Sequence, residues 1–214
     1  MTPALIARCT GARLDRAERC TPALVQAMDL YTINTKTRKA MFLANIGHET
    51  GGLKWLSEIW GPTAAQLRYE RDFTKPWPRT VEQSKLPEFA ANRLAYSLGN
   101  TAAGDGEFFK GHAMLQTTGR YNHAITRDRL RKRFPDMDVP DFELEPDKLA
   151  EPQWAALGAG EYIALKDCNR FADIPDFDGY CDTINKGRKT LPVGDTNGYA
   201  ERLHLFTIAM QVLP

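Results

Sequence analysis

The stretch that most constrains this chain runs from Gly47 to Trp60 and reads Gly-His-Glu-Thr-Gly-Gly-Leu-Lys-Trp-Leu-Ser-Glu-Ile-Trp. It contains two glutamates, Glu49 and Glu58, nine residues apart. In one unbroken helix this spacing turns the chain by about 900° and raises it by about 13.5 Å, so the two side chains would point to opposite sides. The glycine pair at positions 51 and 52 ends the helix and lets the chain reverse. Two carboxyl groups can then face each other across a cleft, as glycoside hydrolysis by paired acids requires.

The two glutamates are expected to have different surroundings. Phe42, Ile46 and Glu49 share one helical face, so Glu49 is predicted to lie along apolar side chains. Partial desolvation favours the neutral form of a carboxyl group, which suits a general acid. Glu58 lies in a segment without a helical period, and we expect a more solvated carboxylate there, suited to a general base. The spacing alone favours a simpler interpretation, two surface charges, because glutamate is almost never buried without a partner.

Composition places the chain among soluble globular proteins. It has 214 residues, 43% of them hydrophobic and 26% charged, with a net charge of +1, which argues against a dedicated nucleic-acid binder. No apolar run approaches the length of a membrane span, so we expect no stable membrane insertion. The first twenty residues carry too many charges for the apolar stretch of a signal peptide, which predicts a cytoplasmic protein.

Hydrophobic periodicity predicts a mainly α fold, because strand signals are few and short. Thr2-Pro3 and Thr21-Pro22 are typical of helix starts, and Thr35 can cap the helix that carries Glu49. In the last predicted helix, about 197–212, Leu203, Phe206 and Met210 mark the buried face. The four cysteines form no Cys-x-x-Cys pair and are interpreted as reduced thiols, with a bridge between positions 168 and 181 left open.

A second motif makes a family resemblance visible. Residues 109–123 read Phe-Lys-Gly-His-Ala-Met-Leu-Gln-Thr-Thr-Gly-Arg-Tyr-Asn-His. They resemble the second signature of the family 19 chitinase-like glycoside hydrolases. Residues 42–70 resemble the first signature in the form that phage endolysins of that family carry, and residues 98–106 and 183–187 look like further family segments. The resemblance runs from about Thr2 to about Phe206.

The resemblance implies a bilobal lysozyme-like fold of the family 19 chitinase type, mainly α, with a small inserted lobe. Residues 1–214 would form a single catalytic domain. Its larger α lobe would comprise about 1–60 and 112–214, and its smaller lobe about 61–111. The motifs span the whole chain, so no separate wall-binding module is expected.

The resemblance also implies hydrolysis of β-1,4 bonds between N-acetylated amino sugars, with inversion. Glu49 matches the general acid, Glu58 the general base, and Thr118 the residue whose hydroxyl positions the attacking water. An inverting pair needs room for that water, with carboxyl groups roughly 6.5–9.5 Å apart. No metal and no cofactor are implied. The side chains expected to contact the substrate are Gln116, Asn185, His48, Trp60, Tyr121 and Asn100, and core packing stays an equal alternative for the two aromatic ones.

The chain departs from the family pattern at two places. His112 stands where many members have an arginine that lines the cleft, and the segment after Asn185 is longer than usual. A basic run, Arg127–Arg133, is interpreted as the solvated face of a helix over a buried stripe that includes Leu130 and Phe134, with attraction to an anionic wall as the alternative.

The resulting hypothesis is a monomeric phage endolysin of the muramidase (lysozyme) type, whose partner is the glycan strand of peptidoglycan. It would accumulate in the host cytoplasm and reach the wall through a holin-type membrane lesion. A chitinase is the main alternative. A zinc amidase is a weaker one, since a His-Glu-x-x-His helix would need histidine where Gly52 stands. A non-catalytic wall-binding protein is the third alternative, which the intact Glu49, Glu58 and Thr118 disfavour.

Overall fold

The computed structural model describes residues 1–214 and is built almost entirely of helices. The extended pairing consists of two isolated antiparallel bridges, Ser57 to His112 and His112 to Thr117. The predicted mainly α class is confirmed and is compatible with a lysozyme-like fold. None of the helices combines the length and apolar character needed to cross a lipid bilayer. In chain order the α-helices are α1 (Pro3–Thr10), α2 (Leu14–Leu30), α3 (Lys36–Glu49), α4 (Ala64–Leu67), α5 (Val81–Ser84), α6 (Arg93–Leu98), α7 (Asp105–Phe108), α8 (Arg120–Arg133), α9 (Pro152–Leu165), α10 (Asn169–Asp173), α11 (Phe177–Lys186) and α12 (Tyr199–Val212), with 3₁₀ helices at Pro87–Asn92 and Pro146–Ala150.

The chain divides into two compact units. The first comprises Met1–Leu56, Ala113–Leu115 and Glu151–Pro214, and the second comprises Ser57–His112 and Gln116–Ala150. The second unit therefore holds residues 116–150, which the sequence had grouped with the larger lobe. The reason is packing within that unit: α8 lies against α6, and the Arg120 guanidinium pairs with Asp105 at 2.6 Å.

In the first unit, glycines let helices approach closely. Helix α2 packs on α9, and α3 packs on both α1 and α12. A methyl group at Gly160 of α9 would lie 2.2 Å from the Tyr31 ring. A methyl group at Gly47 of α3 would lie 2.5 Å from the Thr10 carbonyl oxygen. These contacts leave no room for a larger residue, so the two glycines set how near their helices come.

One predicted helix start is wrong. Helix α2 runs without interruption through Pro22, and the Thr21 hydroxyl donates to the carbonyl of Ala17 at 2.6 Å instead of capping a new helix. The buried face of α2 continues across this position, through Ala17, Cys20 and Leu24. Tertiary packing of that face therefore overrides the local signal. The caps predicted at Thr2 and Thr35 are confirmed.

Helix α12 buries a different face from the predicted one. Leu203 is 40% exposed, while Arg202, Leu205 and Ala209 are buried. Phe206 lies at the edge of this face and stacks on Phe177 with ring centroids 4.5 Å apart. The prediction for Leu203 was wrong because an arginine occupies the inner face, a position that hydrophobic periodicity never assigns to a charge.

The four cysteines are buried free thiols, as predicted. Cys168 and Cys181 are unpaired, and burial raises the pKa of each thiol to about 12. Such thiols stay protonated at neutral pH and pack as small apolar side chains.

The basic run lies on α8, where Leu130 is fully buried, as the stripe predicted. Its arginines hold the segment that follows the helix. The Arg127 guanidinium contacts Asp141 at 2.6 Å and Glu143 at 2.7 Å, and Arg131 donates to the Val139 carbonyl at 2.9 Å. At least these two cations are therefore used within the second unit.

Candidate active site

Glu49 is the last residue of α3, and the turn after it needs an unusual backbone. Gly51, Gly52 and Leu53 all have positive φ, at 56°, 69° and 57°. The Thr50 hydroxyl accepts a hydrogen bond from the Leu53 amide at 2.8 Å and so stabilises the turn. Three successive left-handed residues stop the helix and reverse the chain, and two of them are glycine, which adopts this conformation without strain. The helix end predicted from the glycine pair is confirmed.

An arginine holds the Glu49 carboxylate. The Arg202 side chain is 1% exposed, and its guanidinium contacts Glu49 Oε1 at 2.5 Å. The same group donates to Asn45 Oδ1 at 2.7 Å and to the Asn197 carbonyl at 3.1 Å. We call Asn45, Glu49 and Arg202 the Glu49 cluster, and it lies wholly within the first unit.

The surroundings of Glu49 are apolar on one side, as expected, but also include a charged partner that was not expected. Phe42 and Ile46, which share its helical face, are buried. Yet the nearest polar partner of the carboxylate is a full positive charge, and the side chain keeps 21% exposure. A guanidinium at this distance forms a charge-assisted hydrogen bond that holds the carboxylate in place.

Arg202 is the residue that sequence reasoning missed. It is separated from Glu49 by 153 positions, and no local pattern links the two. A weak signal existed in the last helix, where Arg202 shares a face with Leu205 and Ala209 at positions i, i+3 and i+7. A charge on that stripe must find a buried partner, which the sequence could not name.

His48 is tied to the start of α12. Its Nδ1 lies 2.7 Å from Glu201 Oε2, and a methyl group at Gly198 would lie 1.9 Å from its ring carbon Cε1. The ring therefore fills the space that a larger residue at Gly198 would need. His, Cys, Asp and Glu side chains form no group of three or more that could hold a metal ion.

Glu58 lies outside any helix, as predicted, and both its carboxylate oxygens accept hydrogen bonds from uncharged donors. The Gly111 amide donates to Oε2 at 3.0 Å, and the Gln66 side-chain amide donates to Oε1 at 3.0 Å. The Glu58 amide in turn donates to the Gly111 carbonyl at 2.7 Å. Gln66 is itself fixed by a reciprocal capping box with Thr63. The carboxylate is thus held in one orientation within the second unit.

Gly111 also brings two other predicted site residues to Glu58. A methyl group at Gly111 would lie 2.4 Å from Gln116 Oε1 and 3.2 Å from Thr118 Oγ1. The Thr118 hydroxyl donates to the Gln116 carbonyl at 3.2 Å, and Gln116 itself has a positive φ of 50°. We call Glu58, Gln66, Gly111, Gln116 and Thr118 the Glu58 cluster. Gln66 was not predicted, although the spacing of Thr63 and Gln66 is a capping-box signal.

The remaining predicted contacts have different settings. Tyr121 is 58% exposed on the first turn of α8. Trp60 is half-buried, and its ring centroid lies 6.3 Å from that of Tyr69 with the ring planes tilted by 41°. Asn185 is exposed on the last turn of α11. Asn100 is fully buried: it donates to the Tyr69 carbonyl at 3.0 Å and accepts from the Arg120 amide at 2.9 Å. Its polar groups are used inside the second unit, which gives this side chain a structural role.

His112 is completely buried, so it does not line a cleft, as the arginine at this place in many family 19 enzymes was expected to do. Its Nδ1 lies 2.9 Å from His123 Nε2, and its Nε2 lies 3.1 Å from Asp147 Oδ1. His123 Nδ1 donates to the Gly119 carbonyl at 2.9 Å. Burial lowers the pKa of His112, against the opposing effect of Asp147, and lowers the pKa of His123 to about 4.

Comparison with known proteins gives one partial relationship. No family model matches the chain. Over 110 residues it is 36% identical to a protein of Haemophilus influenzae named "Glycosyl hydrolase family 19 domain-containing protein". The match covers 49% of this chain and 54% of the relative. The chain therefore spans about half the length of that relative. The family in the relative's name is the one that the sequence motifs resemble.

The Glu49 cluster predicts a large effect of Arg202→Met. The substitution removes a buried cation and leaves the Glu49 carboxylate and the Asn45 amide without their partner. We expect the free energy of unfolding to fall by about 3 kcal/mol in urea titration. Arg170→Met is the matched control, because Arg170 is an exposed arginine of the same unit. Equal effects of the two substitutions would contradict the role given to Arg202.

The histidine pair predicts a pH dependence of stability. Unfolded histidine protonates near pH 6.5, whereas folded His123 stays neutral until about pH 4. Between these values the unfolded state binds more protons, so the free energy of unfolding falls as the pH falls. For His123 alone the loss is about 3 kcal/mol.

Urea titrations at several pH values between about 7.5 and about 4.5 would measure this loss. The variant His123→Asn should flatten the pH dependence, whereas His204→Asn, which changes an exposed histidine, should leave it unchanged. A wild-type slope in His123→Asn would show that His123 is not the responsible group.

Proposed function

We propose that this protein is a glycoside hydrolase that cuts the β-1,4 bonds of bacterial peptidoglycan, with inversion at the anomeric carbon. The observation that carries the proposal is the Glu58 cluster, in which a carboxylate has both oxygens held by uncharged donors beside the Thr118 hydroxyl. The name of the Haemophilus influenzae relative supports the same class of enzyme, although the match covers half of each chain.

Glu58 is the proposed general base. A carboxylate that is fixed in direction can take a proton from a water molecule as that water attacks the anomeric carbon. The Thr118 hydroxyl can accept one hydrogen bond and donate another, so it can fix the direction of the same water. Gln116 presents an amide donor and acceptor, as an acetamido sugar does, and lies on the same turn.

Glu49 is the proposed general acid. It would give its proton to the glycosidic oxygen as the sugar leaves, on the face opposite to the attacking water. Arg202 would then stabilise the carboxylate that remains. The mechanism requires both carboxyl groups to act on one glycosidic bond. The side chains proposed to bind the glycan are Gln116, Asn185, His48, Trp60 and Tyr121.

Peptidoglycan is preferred to chitin because residues 42–70 resemble the phage endolysin form of the first family signature. On this proposal the protein is a monomeric endolysin of the muramidase type. It is made in the host cytoplasm and reaches the wall through a membrane lesion made by another protein. Chitin, which also has β-1,4 bonds between N-acetylated amino sugars, is the second candidate substrate.

The first test is digestion of purified sacculi, followed by mass spectrometry of the soluble fragments and identification of their reducing ends. We expect reducing-end N-acetylmuramic acid, and proton NMR of the fresh product should show the α anomer first because the reaction inverts. Reducing-end N-acetylglucosamine would instead identify a glucosaminidase. Freed peptides with intact glycan strands would overturn the proposal in favour of an amidase. Release from chitin oligosaccharides alone would replace peptidoglycan by chitin.

The second test is substitution of the proposed catalytic residues. Glu49→Gln and Glu58→Gln should each lower the rate of glycan release by about 10²- to 10⁴-fold, because each removes a proton-transfer group. Thr118→Ala should lose less, since a second water can replace the hydroxyl in part. Glu88→Gln, at an exposed glutamate of the second unit, is the control and should keep full activity. Near-normal release by either catalytic variant with an intact fold would refute its assignment.

A further inference from the structure

Three hydrogen bonds link the surface of the second unit to its interior in a single line. They run from Asp147 Oδ1 to His112 Nε2, from His112 Nδ1 to His123 Nε2, and from His123 Nδ1 to the Gly119 carbonyl. We call this line the imidazole chain. Its two ends differ in exposure, because both histidines and Gly119 are buried while the Asp147 side chain is 86% exposed.

The protons on the imidazole chain do not balance if both rings are neutral. The Gly119 carbonyl and the ionised Asp147 carboxylate are both acceptors, so each of the three hydrogen bonds must draw its proton from a ring nitrogen. Two neutral imidazoles supply two protons. Whichever tautomers are chosen, at least one of the three contacts then brings two lone pairs together.

Burial decides which of the three contacts lacks a proton. His123 and the Gly119 carbonyl are buried, and an unpaired polar group there would carry a large desolvation cost. The Asp147 carboxylate can instead turn into water. His123 therefore keeps its proton on Nδ1, His112 keeps its proton on its own Nδ1, and the gap falls between His112 Nε2 and Asp147.

The same histidine is joined to the Glu58 cluster through the backbone. His112 follows Gly111, whose amide donates to Glu58 Oε2. The His112 amide donates to the Thr117 carbonyl at 2.9 Å, and the Thr117 amide donates to the His112 carbonyl at 2.6 Å. When both ring nitrogens of His112 are hydrogen-bonded, the backbone on either side of the ring is also held in place. That backbone comprises Gly111 and the bridge from His112 to Thr117, which Thr118 follows.

We propose that the imidazole chain takes up one proton between His112 Nε2 and Asp147, and that this proton makes His112 a positioning residue for the Glu58 carboxylate. With the proton present, all three contacts are closed and the Gly111 amide is held against Glu58. Without it, Asp147 turns to solvent and the ring is anchored at one nitrogen only. The role given to Glu58 rests on the proposed function, whereas the proton itself does not.

The charges that face the chain fit this assignment. Asp147, on the 3₁₀ helix Pro146–Ala150, favours the protonated form of His112, while burial and the neighbouring Lys110 disfavour it. His123, on α8, faces His112 and Gly119 and packs against the Phe109 ring at 5.3 Å. The extra proton is assigned to His112 because its Nε2 is the ring nitrogen that faces Asp147, whereas the two ring nitrogens of His123 face His112 and the Gly119 carbonyl.

Two substitutions at Asp147 distinguish an effect of His112 protonation from an effect of side-chain packing alone. Asp147→Asn supplies an amide that can donate to Nε2 of a neutral His112, so the chain closes without an added proton at every pH. Asp147→Ala removes the partner, so the chain stays open at that end at every pH. Asp136→Asn is the matched control, because Asp136 is an exposed acid of the same unit.

The experiment is a proton–nitrogen NMR titration of the full chain, labelled with ¹⁵N, from about pH 8 to about pH 4. In the wild type and in Asp136→Asn we expect His112 to change from one ring proton to two in a single step, while His123 keeps Nδ1–H. The Gly111 amide resonance should move with the same midpoint. In Asp147→Asn both steps should vanish, with the Gly111 resonance near its low-pH position. In Asp147→Ala the His112 step should move to lower pH by about one unit or more.

A second readout is the pH profile of glycan release. Above the His112 midpoint, Asp147→Asn should exceed the wild type by about tenfold at most, since a small displacement of a reacting group costs rate. The inference would be overturned if the His112 ring kept one protonation state throughout the titration. It would also be overturned if the chemical shift of the Gly111 amide did not change with pH. Absence of glycan release with the NMR steps intact would refute the proposed function and leave the proton on His112 standing.

Discussion

A guanidinium that is 1% exposed must have its N–H groups met by acceptors, and this requirement organises the first unit. Arg202 meets it with Asn45 and Glu49 of α3 and with the Asn197 carbonyl. Helix α12 is therefore docked on α3 by charge and hydrogen bonding as well as by apolar contact. The same contacts fix the carboxylate at the end of α3, so the packing of the helices and the placing of Glu49 are a single constraint.

The two carboxylates are held by different means, each within its own unit. Glu49 is held by a buried cation, whereas Glu58 is held by a backbone amide and a side-chain amide, both uncharged. The proposed function gives the first carboxyl group the role of general acid and the second the role of general base, which must be aimed at a water. Gly111 is the centre of the second arrangement, because only a residue without a side chain leaves space for Gln116.

The sequence resemblance placed His112 where many family 19 enzymes have an arginine. An arginine was expected to reach the substrate from the place that His112 occupies. The shorter imidazole turns inward, is fully buried, and joins His123 and Asp147 in a hydrogen-bonded line. Burial lowers the pKa of both rings, so the unfolded state binds more protons than the folded state and the free energy of unfolding falls as the pH falls.

Local chemistry determined the parts of this protein that the sequence predicted. The glycine pair ends α3, Thr35 caps its start, and the segment around Glu58 is not helical, because each feature depends on backbone preferences within one or two turns. The structure also places Gln116 and Thr118, which the motifs named, beside Gly111, whose amide donates to Glu58. Other features depended on groups far apart in the chain. The sequence could not name Arg202 as the partner of Glu49 or assign residues 116–150 to the second unit, and it mistook Thr21-Pro22 for a helix start. A buried charge or a buried ring takes whatever partner the packed helices bring to it, and only the tertiary structure decides which one that is.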